Sequence, residues 1–203
     1  MSLYPVMLDG RSIVAVIVGG GHVAERKARA LHECGARIRV VAPATSALLT
    51  RLAASSDRVD VRRTAYSGDQ LSGATLVVAA TDDSELNARV ASDARAQGCL
   101  VNVADAPALG NFVTPAVHRA GDVVVAVTAG GVPAAAARLR DVIARLIDGR
   151  VAAAVALLAS LRRDLLARGQ RDRWTTASAA LVGDDFPERA VEPGFAARVA
   201  EWR

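Results

Sequence analysis

The stretch Ser12-Ile-Val-Ala-Val-Ile-Val-Gly19-Gly-Gly21-His-Val-Ala24 joins an apolar strand to a glycine turn and a helix. An unbroken run of valine and isoleucine is typical of a strand that is buried on both faces of a parallel sheet. Glycines after such a strand permit a tight turn and close approach to a pyrophosphate, which the free N–H groups of the following helix attract. The order predicts an α/β domain that binds a dinucleotide through Gly19, Gly21, His22, Val23 and Ala24. The alternative is an ordinary strand–turn–helix in which the glycines serve geometry alone.

The end of the second predicted strand bears on the choice of cofactor. Residues 37–42 form this strand, which ends in Pro43-Ala44-Thr45 instead of the acidic residue that commonly binds the ribose 2′-hydroxyl of NAD. Backbone and small side chains at Pro43 and Ala44 must therefore line the adenosine ribose. We expect Arg37 and Arg39 to lie on the strand, away from its tip, and this favours NAD over NADP.

Polar residues follow the predicted strand at residues 75–80. Asp82 and Glu85 have the spacing of a capping box for a helix over 83–97, and this interpretation is favoured over a catalytic one for the acidic pair at 82 and 83. Ligands of parallel sheets bind at the carboxyl ends of the strands. We therefore expect Thr81 and Asp82 to line the cofactor without taking part in the chemistry.

The fifth predicted strand covers residues 99–107 and carries Asn102 and Asp105. A carboxylate at the mouth of a partly desolvated cleft is suited to proton transfer, so Asp105 is the candidate acid or base. A turn-forming role before Ala-Pro is the alternative for this aspartate. Asn102 is expected either to orient a ligand or to satisfy the loop.

Composition restricts the class of ligand. The 203 residues are 52% hydrophobic and carry a net charge of +4 that comes almost wholly from arginine, because Lys27 is the only lysine. Arginine suits carboxylates and phosphates. Scattered arginines together with only 3% aromatic residues argue against nucleic acid as a partner. A small polyanionic ligand is the better inference.

Targeting and metal signals are weak in this sequence. No apolar run approaches the ~20 residues of a membrane span, and the N-terminus lacks the pattern of a secretory signal. We therefore expect a cytoplasmic protein with no membrane partner. The two cysteines and three histidines are dispersed without metal-ligand spacing, so no metal site is predicted.

The sequence pattern changes after Pro107. Residues 111–118 and 122–128 form two strand-like segments around a hairpin turn, and Gly130 and Gly131 then open a helix over 134–147. The glycine pair resembles a second anion site, although a helix entry turn explains it almost as well. One hairpin and one helix are too small to fold alone, which favours pairing with a partner chain. We predict a Rossmann-type parallel sheet in residues 1–111, a small α+β region in 112–147 and a helical domain in 148–203.

Several segments, taken in order, resemble one family of enzymes. They are Val18-Gly-Gly-Gly-His-Val-Ala-Glu-Arg-Lys27, Ala79-Ala-Thr-Asp-Asp83, Asn102-Val-Ala-Asp-Ala-Pro107, Phe112-Val-Thr-Pro115 and Val125-Ala-Val-Thr-Ala-Gly-Gly131. Together they resemble the precorrin-2 dehydrogenase/sirohydrochlorin ferrochelatase family, which forms the N-terminal module of siroheme synthases. The resemblance covers residues 3–147, and the helical tail matches only loosely.

This resemblance implies NAD-dependent oxidation of precorrin-2 to sirohydrochlorin, with insertion of ferrous iron as a further activity of many members. It implies that Asp105 assists proton removal and that the cofactor contacts the turn at 19–23 and Pro43-Ala44. The tetrapyrrole substrate is a polycarboxylate, which suits the arginine-rich composition, and its contacts are assigned to Asn102, Thr128, Gly130 and Gly131.

The resemblance also implies partners for the chain. The family pairs its hairpin and helix regions across a homodimer, which would account for residues 112–147. Because the sequence ends at Arg203, we expect a separate uroporphyrinogen methyltransferase to supply precorrin-2.

Two other classes of function stay open. A non-catalytic NAD-sensing module would share the glycine turn but would not need Asn102 or Asp105. An NAD dehydrogenase of another small molecule would usually carry a histidine or lysine acid/base in a separate catalytic domain, and no such residue is evident in this sequence.

Overall fold

The computed structural model describes residues 3–203, which divide into two compact units, one ending at Thr114 and the other running from Pro115 to Arg203. The first unit contains the predicted sheet, and the second contains the hairpin and the C-terminal helices. The three-part division at residues 111 and 147 stays a prediction.

The first unit is built on a parallel sheet of five strands in the order β3-β2-β1-β4-β5. Its strands are β1 (Val14–Val18), β2 (Arg37–Val41), β3 (Val59–Arg62), β4 (Leu76–Ala79) and β5 (Leu100–Val103). Three helices connect them: α1 (His22–Glu33), α2 (Ala47–Ala54) and α3 (Ser84–Ala96). Strand order reverses between β1 and β4, and in such sheets ligands bind beside the carboxyl ends of the strands at this point. The predicted α/β fold class is confirmed.

The first strand is buried on both faces, as its apolar run predicted. Ile17 packs in one core cluster with residues of α1 and α2, whereas Val16 packs in a second cluster with residues of α3. Both side chains are fully buried. Alternate residues of β1 therefore tie helices to opposite faces of the sheet, which fixes the glycine turn at its carboxyl edge.

Two predicted boundaries in this unit were wrong. Helix α3 is capped by Asp83, whose carboxylate accepts from the backbone N–H groups of Glu85 and Leu86 at 2.9 and 3.0 Å, so Asp82 is not the capping residue. Strand β5 ends at Val103, and Asp105 lies in the loop that follows. The chain leaves the sheet before the aspartate, where the partner strand β4 also ends, and a short 3₁₀ turn over Pro107–Leu109 follows.

The second unit begins with an antiparallel hairpin of β6 (Ala116–Ala120) and β7 (Val123–Val127). Residues 111–115, predicted as part of the first hairpin strand, lie outside it, since Asn111 bonds instead to the backbone of Val101 and Cys99 in or next to β5. Five helices complete the unit: α4 (Pro133–Leu146), α5 (Gly149–Ala167), α6 (Arg171–Leu181), α7 (Phe186–Ala190) and α8 (Phe195–Ala200).

The C-terminal helices form their own apolar core. Leu161 and Leu165 of α5 are fully buried and pack with Leu181, Phe195 and Val199. None of the helices within residues 3–203 is long and apolar enough to cross a membrane.

Candidate active site

The glycine turn after β1 is held between the ends of two neighbouring strands. Gly19 has a φ of +128°, and a Cβ atom at this position would overlap the carbonyl group of Ala80 after β4. A Cβ atom on Gly20 would overlap the carbonyl oxygen of Ala44 after β2. Packing therefore requires glycine at both positions, and at Gly19 the positive φ requires it as well. Gly21 has open space around the equivalent position.

The start of α1 presents free backbone donors beside this turn. Gly21 is the N-cap residue and offers no side-chain cap, and the first helical N–H to find a carbonyl is that of Glu25, at 3.0 Å from the oxygen of Gly21. The N–H groups of the first turn have no partner inside a helix. Together with the helix dipole they favour an anion at this end.

A cleft of about 360 Å³ opens at this point. It is lined by Val18, Gly19, Gly20, Gly21, Val41, Ala42, Pro43, Ala44, Tyr66, Ala80, Thr81, Asp82 and Leu86. Of the predicted cofactor contacts, Gly19, Gly21, Pro43, Ala44, Thr81 and Asp82 lie together here. The remaining three belong to the first turn of α1, where His22 is exposed, Val23 packs on the core and Ala24 is fully buried. Ala24 thus allows the close contact between helix and strand that a third glycine usually provides.

The lining of the cleft favours NAD over NADP, because the part of the chain that the structure describes offers no cationic side chain there to a 2′-phosphate. The side chains that line it, within residues 3–203, include no arginine, lysine or histidine, and they include the carboxylate of Asp82. Arg39 lies on β2 as predicted, and its guanidinium donates to the carbonyl oxygens of Gln70 and Ser72 at 2.6 and 3.3 Å. The guanidinium of Arg39 is therefore occupied by backbone carbonyl groups.

Tyr66 also lines the cleft, and the sequence prediction did not identify it. Its hydroxyl donates to Asp93 of α3 at 2.8 Å, and the guanidinium of Arg89 lies 5.7 Å from the centre of its ring. Burial, followed by the bond to Asp93, raises the pKa of Tyr66 far above its usual value, so the phenol stays protonated. No local motif marks this tyrosine, because its position depends on contacts with α3.

A buried amide joins the cleft to Asp105. The Oδ1 atom of Asn87 accepts from the backbone N–H and the hydroxyl of Thr81 at 3.1 and 2.8 Å. Its Nδ2 atom donates to the carbonyl of Thr81 at 3.0 Å and to Oδ1 of Asp105 at 3.2 Å. Asn87 is only 1% exposed, whereas Asp105 is exposed. The sequence prediction placed Asp105 at the mouth of a partly desolvated cleft, and it did not identify Asn87.

Asn102 is buried at the end of β5, and its amide donates to the carbonyl of Phe112 at 3.2 Å. This contact supports the loop-holding alternative of the two predicted for this residue. Its assignment as a substrate contact stays a prediction.

The other predicted substrate residues lie in the second unit, between β7 and α4. Thr128 is exposed, and Gly130 and Gly131 have φ values of +53° and +82° with open space around both Cβ positions. The N–H of Val132 donates to the carbonyl of Ala129 at 2.8 Å and closes the turn. Positive φ values alone require glycine here, and the substrate assignment of these residues stays a prediction.

Two charged residues of the Gly-Gly-Gly-His-Val-Ala-Glu-Arg-Lys segment hold α1 to other parts of the first unit. Glu25 is 5% exposed, accepts from the hydroxyl of Ser46 at 2.8 Å and pairs with Arg29 at 3.1 Å. Lys27 donates to the hydroxyl of Thr114 at 2.5 Å, and burial, followed by the charge of Arg26, lowers the pKa of its ammonium group.

Within residues 3–203 no group of three or more His, Cys, Asp or Glu side chains is placed to hold a metal ion.

Comparison with known proteins agrees with the class that the fold and the glycine turn define. Residues 6–116 match the family model described as "Putative NAD(P)-binding", and the chain belongs to this family of NAD(P)-binding proteins. The particular relatives are siroheme synthases. The chain is 47% identical over 132 residues to the siroheme synthase of Ectopseudomonas mendocina. The matched region covers 65% of this chain and 28% of that protein.

Other relatives match over nearly the whole chain. The siroheme synthase of Stutzerimonas stutzeri is 42% identical over 195 residues, or 96% of this chain and 41% of that protein. The siroheme synthase of Methylobacillus flagellatus is 35% identical over 190 residues, and the match covers 91% of this chain and 40% of that protein. The chain thus spans less than half the length of these relatives. The solved structure of "SirC, precorrin-2 dehydrogenase" is similar in fold, with a TM-score of 0.78, 24% identity and coverage of 98% of this chain and 100% of that one.

Proposed function

We propose that this chain oxidises precorrin-2 to sirohydrochlorin, with NAD as the hydride acceptor, as a step of siroheme synthesis. The observation that carries the proposal is the hydrogen-bonded connection from the cofactor cleft, through Thr81 and Asn87, to the carboxylate of Asp105. The connection supports a role for Asp105 beside the predicted nucleotide site, and Asp82 is an acidic residue in the lining of the cleft itself. The names of the similar siroheme synthases and of SirC supply the substrate class.

The chain's own atoms would hold the dinucleotide at the glycine turn. The free N–H groups at the start of α1, from His22 to Ala24, would bind the pyrophosphate, while Gly19 and Gly21 let it approach. Pro43 and Ala44 would line the adenosine ribose, and Thr81 and Asp82 would face the nicotinamide half of the cleft. The bound NAD supplies the hydride acceptor.

Asp105 is the proposed catalytic residue. Oxidation removes a hydride and a proton from precorrin-2, so the reaction yields NADH, one proton and sirohydrochlorin. A carboxylate that is exposed at one side and held at Oδ1 by Asn87 can take up that proton at its other oxygen. Asn102, Thr128, Gly130 and Gly131 are the proposed substrate contacts.

A second activity, insertion of ferrous iron into sirohydrochlorin, is favoured by the names of the siroheme synthases to which the chain is similar. The iron would enter as a substrate. Asp105 would serve this step by accepting protons from the pyrrole nitrogens as the metal binds.

We also propose a homodimer formed through residues 112–147. Leu139, Val142 and Leu146 of α4 are about half exposed or more, at 50%, 47% and 63%, and lie three to four residues apart on one helix face. An apolar stripe of this kind supports pairing with a second copy. A uroporphyrinogen methyltransferase would supply precorrin-2, and we place the reaction in the cytoplasm.

An anaerobic assay with freshly made precorrin-2 tests the proposal. We expect NADH and sirohydrochlorin to form together with NAD, and much more slowly with NADP. Ferrous iron added afterwards should change the spectrum faster than the spontaneous rate if the second activity is present. Binding of NAD without formation of NADH would favour a sensing module or a dehydrogenase of another small molecule.

A further inference from the structure

We propose that Asn87 is a positioning residue for Asp105, holding its carboxylate in a fixed orientation next to the cofactor cleft. The inference rests on the proposed function, because it assumes that Asp105 takes up the proton. Asn87 itself is buried and does not line the cleft, so its effect on the reaction would pass through Asp105.

The orientation of the Asn87 amide is fixed by its partners. The backbone N–H of Thr81 can only donate, so the atom that it meets at 3.1 Å must be the carbonyl oxygen of Asn87. The NH₂ group then faces the carbonyl of Thr81 and the carboxylate of Asp105, which both accept. All donors and acceptors of the buried amide are used, and a flipped amide would lose these bonds.

Asp105 needs such a support because its surroundings do not hold it. The residue is exposed and lies beyond the end of β5, and the Asn87 amide is the hydrogen-bond partner that residues 3–203 give its side chain. An exposed aspartate on a loop samples several rotamers. One bond to Oδ1 from a buried, fully satisfied amide restricts these rotamers and leaves Oδ2 free for substrate.

Asn87 is rigidly placed for this task. It lies in the first turns of α3, where its backbone N–H donates to the carbonyl of Asp83 at 2.9 Å. Asp83 in turn caps the helix. The side chain of Asn87 also bonds to Thr81, which lines the cleft. One amide therefore sets the distance between Thr81 and the carboxylate of Asp105.

The test is Asn87→Asp, which keeps the size of the side chain and the acceptor for the N–H of Thr81. It removes the donor to Asp105 and to the carbonyl of Thr81, and it sets a second carboxylate against Asp105. We expect kcat for precorrin-2 oxidation to fall about 10- to 100-fold, as expected for a misplaced catalytic group. The Kd for NAD should stay within about threefold, because the acceptor for Thr81 is kept. Asn111→Asp is the matched control: the Asn111 amide bonds only to backbone atoms of Val101 and Cys99, so kcat should be unchanged.

A double-mutant comparison separates positioning from general support of the fold. In the Asp105→Asn background, Asn87→Asp should cause no further loss of the residual rate, because the group on which Asn87 acts is gone. The two changes together also exchange donor and acceptor, so the combined variant should melt at a higher temperature than Asn87→Asp alone. An equal fold-loss from Asn87→Asp in both backgrounds would overturn the inference.

The outcomes separate the inference from the proposed function. If Asp105→Asn keeps the wild-type rate, the catalytic assignment fails. If Asp105→Asn is inactive while Asn87→Asp is fully active, only the role of Asn87 fails. If Asn87→Asp does not fold, the side-chain ¹H–¹⁵N resonances of Asn87 decide the matter in the folded Asp105→Asn protein. One of its two NH₂ protons should shift relative to wild type, and unchanged resonances would contradict the contact.

Discussion

Two glycine turns open helices in this protein, and they differ in what holds them. The turn at 19–21 is bound to other elements: the N–H of Gly19 donates to Val41 at 3.0 Å, and the N–H of Ser46 donates to Gly20 at 2.9 Å. The turn at 130–131 is closed by a local bond between Val132 and Ala129, and nothing lies near its glycine Cβ positions. A glycine before a helix can therefore serve two different structural roles. In the first turn it admits neighbouring backbone, and in the second it satisfies positive φ.

Gly20→Ala should break the first turn most severely. The new Cβ would overlap the carbonyl oxygen of Ala44, so the end of β2 would have to move away from the cleft. We expect the Kd for NAD to rise about 100-fold or more. Gly98→Ala is the matched control, because Gly98 has a φ of +72° and open space around it. Isothermal titration should show strong NAD binding for the control, and equal loss in both variants would show that general destabilisation explains the result.

Asp105→Asn tests whether the chemistry belongs to the unit that contains the first turn. The change preserves size and removes the proton acceptor, so we expect kcat to fall about 100-fold or more. Binding of NAD should be unaltered, since Asp105 does not line the cleft. Stopped-flow detection of NADH measures the rate, and a wild-type rate would remove Asp105 from the mechanism.

Glu25→Ala probes the support behind the first turn. Glu25 accepts from Ser46, whose own N–H holds Gly20, so the change weakens the turn and leaves a buried cavity. We expect the free energy of unfolding to drop by about 2 kcal/mol, because a buried acceptor that also pairs with Arg29 is lost. Urea denaturation provides the value. A change below a few tenths of a kcal/mol would mean that this network does not support the turn.

Gly131→Ala should have the smallest effect and sharpens the contrast. No neighbour would meet the new Cβ, so only the positive φ of +82° is penalised. We expect a loss of about 1 kcal/mol in the free energy of unfolding, with no change in the Kd for NAD. Thermal denaturation and NAD titration check both parts. A large loss of NAD affinity would contradict the local character of this turn.

Local patterns in the sequence predicted the sheet and most of the cleft. The run before Gly19 and the polar residues after β4 carry their own signals, because strand burial and turn chemistry depend on neighbours in sequence. Asn87 and Tyr66 carry no such signal. Each contributes through a contact with a residue far along the chain, Asp105 for the first and Asp93 for the second, and those contacts exist only in the folded unit.

The boundary errors have a similar cause. Asp82 and Asp83 are adjacent acids, and either could cap α3 from the sequence alone. The N–H of Asp83 donates to the hydroxyl of Thr81 at 3.2 Å, and the carboxylate of Asp83 then accepts from N–H groups of the first helical turn. The end of β5 was predicted too late because Ala104 continues the apolar pattern beyond Val103, which pairs with Ala79, the last residue of β4. A ladder that ends with its partner strand is a tertiary property.

A single-turnover experiment under anaerobic conditions tests the central claim most directly. Enzyme in excess over precorrin-2 is mixed with NAD, and NADH fluorescence and sirohydrochlorin absorbance are followed together. We expect one NADH for each sirohydrochlorin, appearing with the same rate constant, and a rate reduced about 100-fold or more by Asp105→Asn. Sirohydrochlorin that forms without NADH, or no product despite bound NAD, would contradict it.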